Sequence, residues 1–161
     1  MNNTGSPIGT NTTAAMTGST TPSPNIVTAS TENASYPAYQ AYNRVLSEPG
    51  RWVTLNGSTT GWVNYNYGTG NSYVISQYRV AGGAGTANPK NWEMQGSNNN
   101  IDWVGIDSIT NASWTDANDW ALFNTYSIAT STEKYQFYRF NVTANNGNGT
   151  NLSLSEIQLI E

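Results

Sequence analysis

Apolar residues recur at every second position in short runs, separated by stretches of Asn, Gly, Ser and Thr. Between positions 88 and 109, Trp92 and Met94 alternate with Asn91, Glu93 and Gln95, a turn runs from Gly96 to Asn100, and a second run starts near Trp103. That is a β-hairpin with a tryptophan at each foot. Residues 136–143 alternate as well, with Tyr138, Phe140 and Val142 inward and Arg139 and Asn141 outward. Residues 62–67 set Val63, Tyr65 and Tyr67 against Trp62, Asn64 and Asn66; residues 74–80 set Val74, Tyr78 and Val80 against Ile75, Gln77 and Arg79. Residues 26–30 and 51–55 read as shorter strands, and 120–128 as a less regular one. In the last run Leu152 and Leu154 keep one phase and Ile157 and Leu159 the other, so a bulge is expected at Ser155-Glu156, re-aiming Glu156. Helical patterning is confined to residues 38–43, after Tyr36-Pro37. About eight strands with short polar connections predict an all-β, eight-stranded antiparallel jelly-roll β-sandwich with one short helical turn.

Residues 1–24 are Thr, Asn, Gly, Ser and Pro with almost nothing to bury. They read as a low-complexity, extended N-terminal arm, either a flexible linker or a segment lying along a neighbouring subunit. The sandwich is expected over residues 25–161.

Composition narrows the function classes. Charged residues make up 10% of the 161 positions, far below the ~25% of ordinary soluble domains. The net charge of −4 and six scattered Lys and Arg provide no basic patch, so neither nucleic acid nor an anionic membrane is an expected partner. No histidine or cysteine is present, which removes Ser-His-Asp and Cys-His chemistry, the usual proton shuttle and the soft metal ligands. Asp116, Asp119 and Glu133 form the nearest approach to a carboxylate pair and read as solubilising surface groups, so the chain is not expected to be an enzyme. No apolar run approaches ~18 residues, so no membrane insertion or secretion signal is expected. Export by another route, or membership of something larger, follows as the expectation.

Several stretches resemble a known family. Pro89-Lys90-Asn91-Trp92-Glu93-Met94-Gln95-Gly96-Ser97-Asn98 followed by Asp102-Trp103 is similar to the discoidin, or coagulation factor 5/8 type C, domain. So are Tyr138-Arg139-Phe140-Asn141-Val142-Thr143-Ala144 and Leu154-Ser155-Glu156-Ile157-Gln158-Leu159, with Tyr36 to Asn43 and Gly61-Trp62-Val63 upstream in the right order. The family includes family 32 carbohydrate-binding modules and domains on phage and viral surface proteins, and Met16 to Pro24 looks like the lead-in of phage versions. The resemblance implies an eight-stranded jelly roll that binds glycans, lipids or proteins through loops at one end. A non-catalytic module on a virion or cell surface is therefore expected, with a glycan or surface receptor as partner. The alternative is a decoration or tail component held to other virion subunits by its jelly roll and arm.

The resemblance also implies residue roles. Trp52, Trp62, Trp92 and Trp103 fall where the family places packing residues, and Trp114 is expected to cap the sandwich. Tyr36, Trp120, Asn145 and Asn146 are the candidate carbohydrate contacts, because an indole or phenol ring can stack on a sugar while amides bond its rim. Many relatives hold one structural calcium between the helical turn and a C-terminal Glu; here the matching residues are Asn43 and Glu156. Asn43 replaces the usual Asp and Arg44 the usual Gly, so pairing of Arg44 or Arg51 with Glu156 in place of the ion is the other expectation.

Overall fold

The computed structural model describes residues 9–83, 85–114, 122–129 and 132–161. Among the described residues eight strands form two facing antiparallel sheets, as the alternation predicts. The first sheet has the order β1-β3-β8-β5-β6, from Ile26–Ala29 (β1), Gly61–Asn66 (β3), Phe137–Asn145 (β8), Pro89–Ser97 (β5) and Val104–Ile109 (β6). The second has the order β10-β4-β7, from Glu156–Ile160 (β10), Gln77–Ala81 (β4) and Phe123–Ser127 (β7). A further two-residue pair joins Trp52–Val53 (β2) to Ser153–Leu154 (β9). The expected helical turn is a 3-10 turn over Ala38–Tyr42, and a second one stands at Gly85–Ala87 within a glycine-rich loop, residues 82–88.

The core lies between the sheets and is built of aromatic rings. Trp92 sits 5.1 Å from Phe140 and 5.2 Å from Tyr126, and Tyr126 stacks on Tyr78 at 5.1 Å. The polar tips of Trp92 and Tyr78 are satisfied internally: Trp92 Nε1 donates to the Tyr78 hydroxyl at 2.9 Å, which lies 2.7 Å from Asp107 Oδ2. Burial and this carboxylate push the Tyr78 phenol far above its ordinary pKa, so it stays a neutral donor at any physiological pH.

Three expectations are corrected. The phase change at Ser155 is not a bulge within one strand: Leu154 pairs with Trp52, whereas Glu156 pairs with Ala81, so the chain changes partner strand there. Nor is the segment before residue 25 an arm separate from the domain over its described part. Thr12 N–H donates to Leu159 O and Glu161 N–H to Thr10 O, which covers the free edge of β10. Ala14 N–H donates to the Tyr65 hydroxyl at 2.8 Å, Thr12 Oγ1 meets the Tyr67 hydroxyl at 2.6 Å, and Met16 is 1% exposed in the core. Lastly, Trp52 and Trp92 are buried as expected, but Trp62 and Trp103 are half-buried and pack on Arg139 on the outer face of the larger sheet.

Candidate functional site: the loop end of the sandwich

Loops that are distant in sequence meet where β5 begins and β8 ends, since Pro89 pairs with Asn145. The centre of this end is one carbonyl. Pro89 O accepts from Trp114 Nε1 at 2.8 Å and from Asn146 Nδ2 at 3.0 Å. Asn146 also holds Asn88 O, through its side chain at 3.1 Å and its own N–H at 3.0 Å. These bonds fix the edge of the indole and leave Trp114 half-buried. Gly85, Thr86, Trp114 and Asn146 line a cavity of about 290 Å³.

The glycine-rich loop comes this close because it carries no side chain where the ring lies. A Cβ on Gly82 would stand 2.8 Å from Trp114 Cε3 and 2.7 Å from Asn88 Nδ2. Asn88 Oδ1 accepts Gly83 N–H at 2.9 Å, and Asn148 N–H donates to Thr86 O at 3.1 Å, so the loop is tied to both neighbours. Tyr36 joins the same end through Arg51: the guanidinium lies 4.6 Å from the Tyr36 ring centroid, 3.5 Å from Gly83 O and 2.6 Å from Glu48 Oε1.

The expected contacts fare differently. Asn146 lines the cavity, whereas Tyr36 is not among its described lining residues and packs its ring against Arg51. Asn145 is spent on its own loop, donating from Nδ2 to Asn148 O and Asn151 O at 2.9 Å each and accepting from Gly147 N–H at 3.0 Å. Trp120, Asp116 and Asp119 lie outside the described residues. Sequence reasoning gave Trp114 a packing role, capping the sandwich, and passed over Thr86; the signal was a tryptophan closing a polar stretch, Asn111-Ala112-Ser113, which no alternation explains.

The residues implied for calcium form a different arrangement. Glu156 is fully buried, its Oε2 accepts Arg44 N–H at 2.9 Å, and its Oε1 has no protein partner. Burial pushes this carboxyl up to about 9 against the pull of the Arg44 and Asn43 N–H groups and the Arg44 charge. Asn43 Oδ1 is taken by Val45 N–H at 2.8 Å, and the Arg44 guanidinium donates to Thr13 O at 2.7 Å. Calcium takes six to eight oxygens. One side-chain oxygen is free here, backbone N–H groups face the carboxyl, and among the described residues no group of three acidic, His or Cys side chains gathers. Glu156 thus meets Arg44 through the backbone N–H rather than by a guanidinium–carboxylate pair.

No family model and no curated protein matches the chain. Solved structures do. A family 32 carbohydrate-binding module of Clostridium perfringens GH89, in complex with GalNAc-β-1,3-galactose, superposes with a TM-score of 0.68 at 18% identity over 85% of this chain and 95% of its own. Chitosan-binding module 2 of a chitosanase/glucanase from Paenibacillus sp. IK-5, in complex with chitotriose, gives 0.66 at 17% identity over 85% and 96%. The family 32 module of C. perfringens NanJ, in complex with galactose, gives 0.61 at 17% over 85% and 93%. The chain has the galactose-binding-like discoidin fold.

Proposed function

We propose that the protein is a non-catalytic glycan-binding module that takes a neutral hexose or N-acetylhexosamine end group in the cavity of Gly85, Thr86, Trp114 and Asn146. The observation that carries this reading is the half-buried Trp114 indole, locked at its edge by Pro89 O and bordering a cavity with a hydroxyl and an amide at its rim. An indole face supplies the apolar plane on which a sugar's C–H groups stack, and the rim groups exchange hydrogen bonds with ring hydroxyls. Among the described residues no lysine or arginine lines the cavity, which favours neutral sugars. Solved structures of this fold are modules whose names record galactose, GalNAc-galactose or chitotriose as ligand, which supports the same class. The cavity is small and open to one side of the loops, so affinity on the order of 0.1–1 mM, about −4 to −5.5 kcal/mol, is expected for a single end group. Display on the outer surface of a virion or a cell fits such a module, which gains from many copies binding together. A glycan array probed with the multimerised chain, with ligand-observed NMR on each hit, tests the reading: hits among neutral oligosaccharides that vanish with Trp114→Ala support it, and an empty array confirmed by NMR overturns it.

A further inference from the structure

The outer face of the five-stranded sheet carries an arrangement that the loop end does not use. Residues in the outward phase of three adjacent strands meet there. The register sets Asn64 of β3 and Gln95 of β5 on either side of Arg139 of β8, and Trp62 and Glu93 on either side of Asn141. The Arg139 guanidinium lies between two indoles, with its central carbon 4.0 Å from the Trp103 ring centroid and 5.8 Å from that of Trp62. Both indoles and the arginine are half-buried, so their surfaces are in part open to solvent.

Among the described residues Arg139 makes no direct ion pair. Its Nε donates to Gln95 Oε1 at 2.6 Å, and among the described residues no carboxylate comes within 4 Å of it. Glu93, the acid whose charge acts on it, leans the other way: one oxygen accepts from Gln95 Nε2, and the other lies over Gly105 of β6, where no side chain stands. Next to Arg139 on β3, Asn64 is 4% exposed, donates to Asn100 Oδ1 at 3.1 Å, and has an Oδ1 without a partner. The turn that carries Trp103 over this face also presents Ile101 at 78% exposure.

We propose that this sheet face is a second carbohydrate-binding surface, separate from the loop end, for a chain containing uronic acid residues. Trp62 and Trp103 stack against pyranose rings, and the Arg139 Nη donors take the sugar carboxylate. The occupant follows from charge and shape. A guanidinium fork matches a carboxylate in two parallel hydrogen bonds, and a half-desolvated cation that no carboxylate touches gains from an anionic ligand. Indole planes on both sides select a flat, C–H-rich ring. The half-buried Asn141 adds a neutral donor and acceptor for ring hydroxyls, while the buried Gln95 holds the guanidinium in place.

The test is a titration of the ¹⁵N-labelled full chain with a galacturonic acid hexamer and, in parallel, with the same hexamer after reduction of its carboxyls. The proposal expects shifts of the Trp62 and Trp103 indole N–H signals and of the Arg139 side chain with the acidic hexamer, and at least tenfold weaker binding of the reduced one. Arg139→Gln should weaken the acidic hexamer tenfold or more, whereas Trp114→Ala should leave it unchanged. Shifts confined to Thr86, Trp114 and Asn146, equal binding of both hexamers, or no shift at all would overturn it. Because the wild-type map needs no variant, a misfolded Arg139→Gln leaves the outcome readable. A failure here leaves the loop-end reading standing, since that reading is tested by neutral sugars and Trp114.

Discussion

Trp114 and Asn146 donate to the same acceptor, the carbonyl oxygen of Pro89, at 2.8 and 3.0 Å. One backbone atom thereby fixes the indole and the amide that border the cavity, and the site depends on β5 starting where it does. Asn146→Asp should weaken glycan binding by tenfold or more, because a carboxylate cannot donate and would face the Pro89 and Asn88 carbonyls. Isothermal titration calorimetry against the best array ligand checks this, with a melting curve to show that the fold persists.

Gly82→Ala gives a subtler perturbation of the same relationship. The new methyl would stand 2.8 Å from the Trp114 ring, closer than side chains pack, so the ring must move. The expected result is a loss of binding out of proportion to the loss of stability, which should stay near 1–3 kcal/mol. Denaturant melts and calorimetry on the same sample separate the two.

The N-terminal strap is held by tyrosine hydroxyls, and its removal should be costly. Tyr65→Phe leaves Ala14 N–H without its acceptor and should destabilise the domain by about 1–3 kcal/mol. Met16→Ala empties a fully enclosed site and should cost about 2–5 kcal/mol. Chemical denaturation of each variant measures the difference; values within error of wild type would show that the strap is dispensable.

Glu156 makes stability pH-dependent in an unusual direction. Its folded pKa of about 9 lies above the ordinary 4.5, so between these values the folded state holds a proton that the unfolded state has lost. Stability should therefore be fullest below about pH 4.5 with respect to this group and fall as pH rises toward 9, by at most about 1.4 kcal/mol per unit. Glu156→Gln should flatten that slope. Melts across pH 5–9 in chelator and again in millimolar calcium check both halves: the arrangement at Arg44 predicts no calcium-dependent rise, and a large rise would restore the ion to this turn.

Much of the fold is legible in alternation alone, because a strand with one buried face must repeat with period two. Tyr138, Phe140 and Val142 are buried together, as are Val63 and Tyr65, and both sheets follow from such runs. Phase was also the better guide to Trp62. The pattern grouped it with Asn64 and Asn66 on the side away from Tyr65, and there it lies; the family resemblance assigned it to packing. What stays hidden is set by contacts across long separations. Nothing local to Trp114 tells of Pro89 O, twenty-five residues away along the chain. Composition cannot see that Thr12 and Glu161 spend their N–H groups on each other's strands, so a Thr- and Asn-rich stretch reads as free. The change of phase at Ser155 was visible, but whether it marks a bulge or a change of partner depends on where β2 ends up.

The central claim is that a sugar stacks on Trp114 at the loop end. Saturation-transfer NMR with neutral galactose-, GalNAc- and chito-oligosaccharides, run on the wild-type chain and on Trp114→Ala at equal concentration, tests it most directly. The account predicts transfer to the C–H protons of at least one ligand in the wild type and its loss in the variant. Undiminished transfer in a folded Trp114→Ala protein would contradict it.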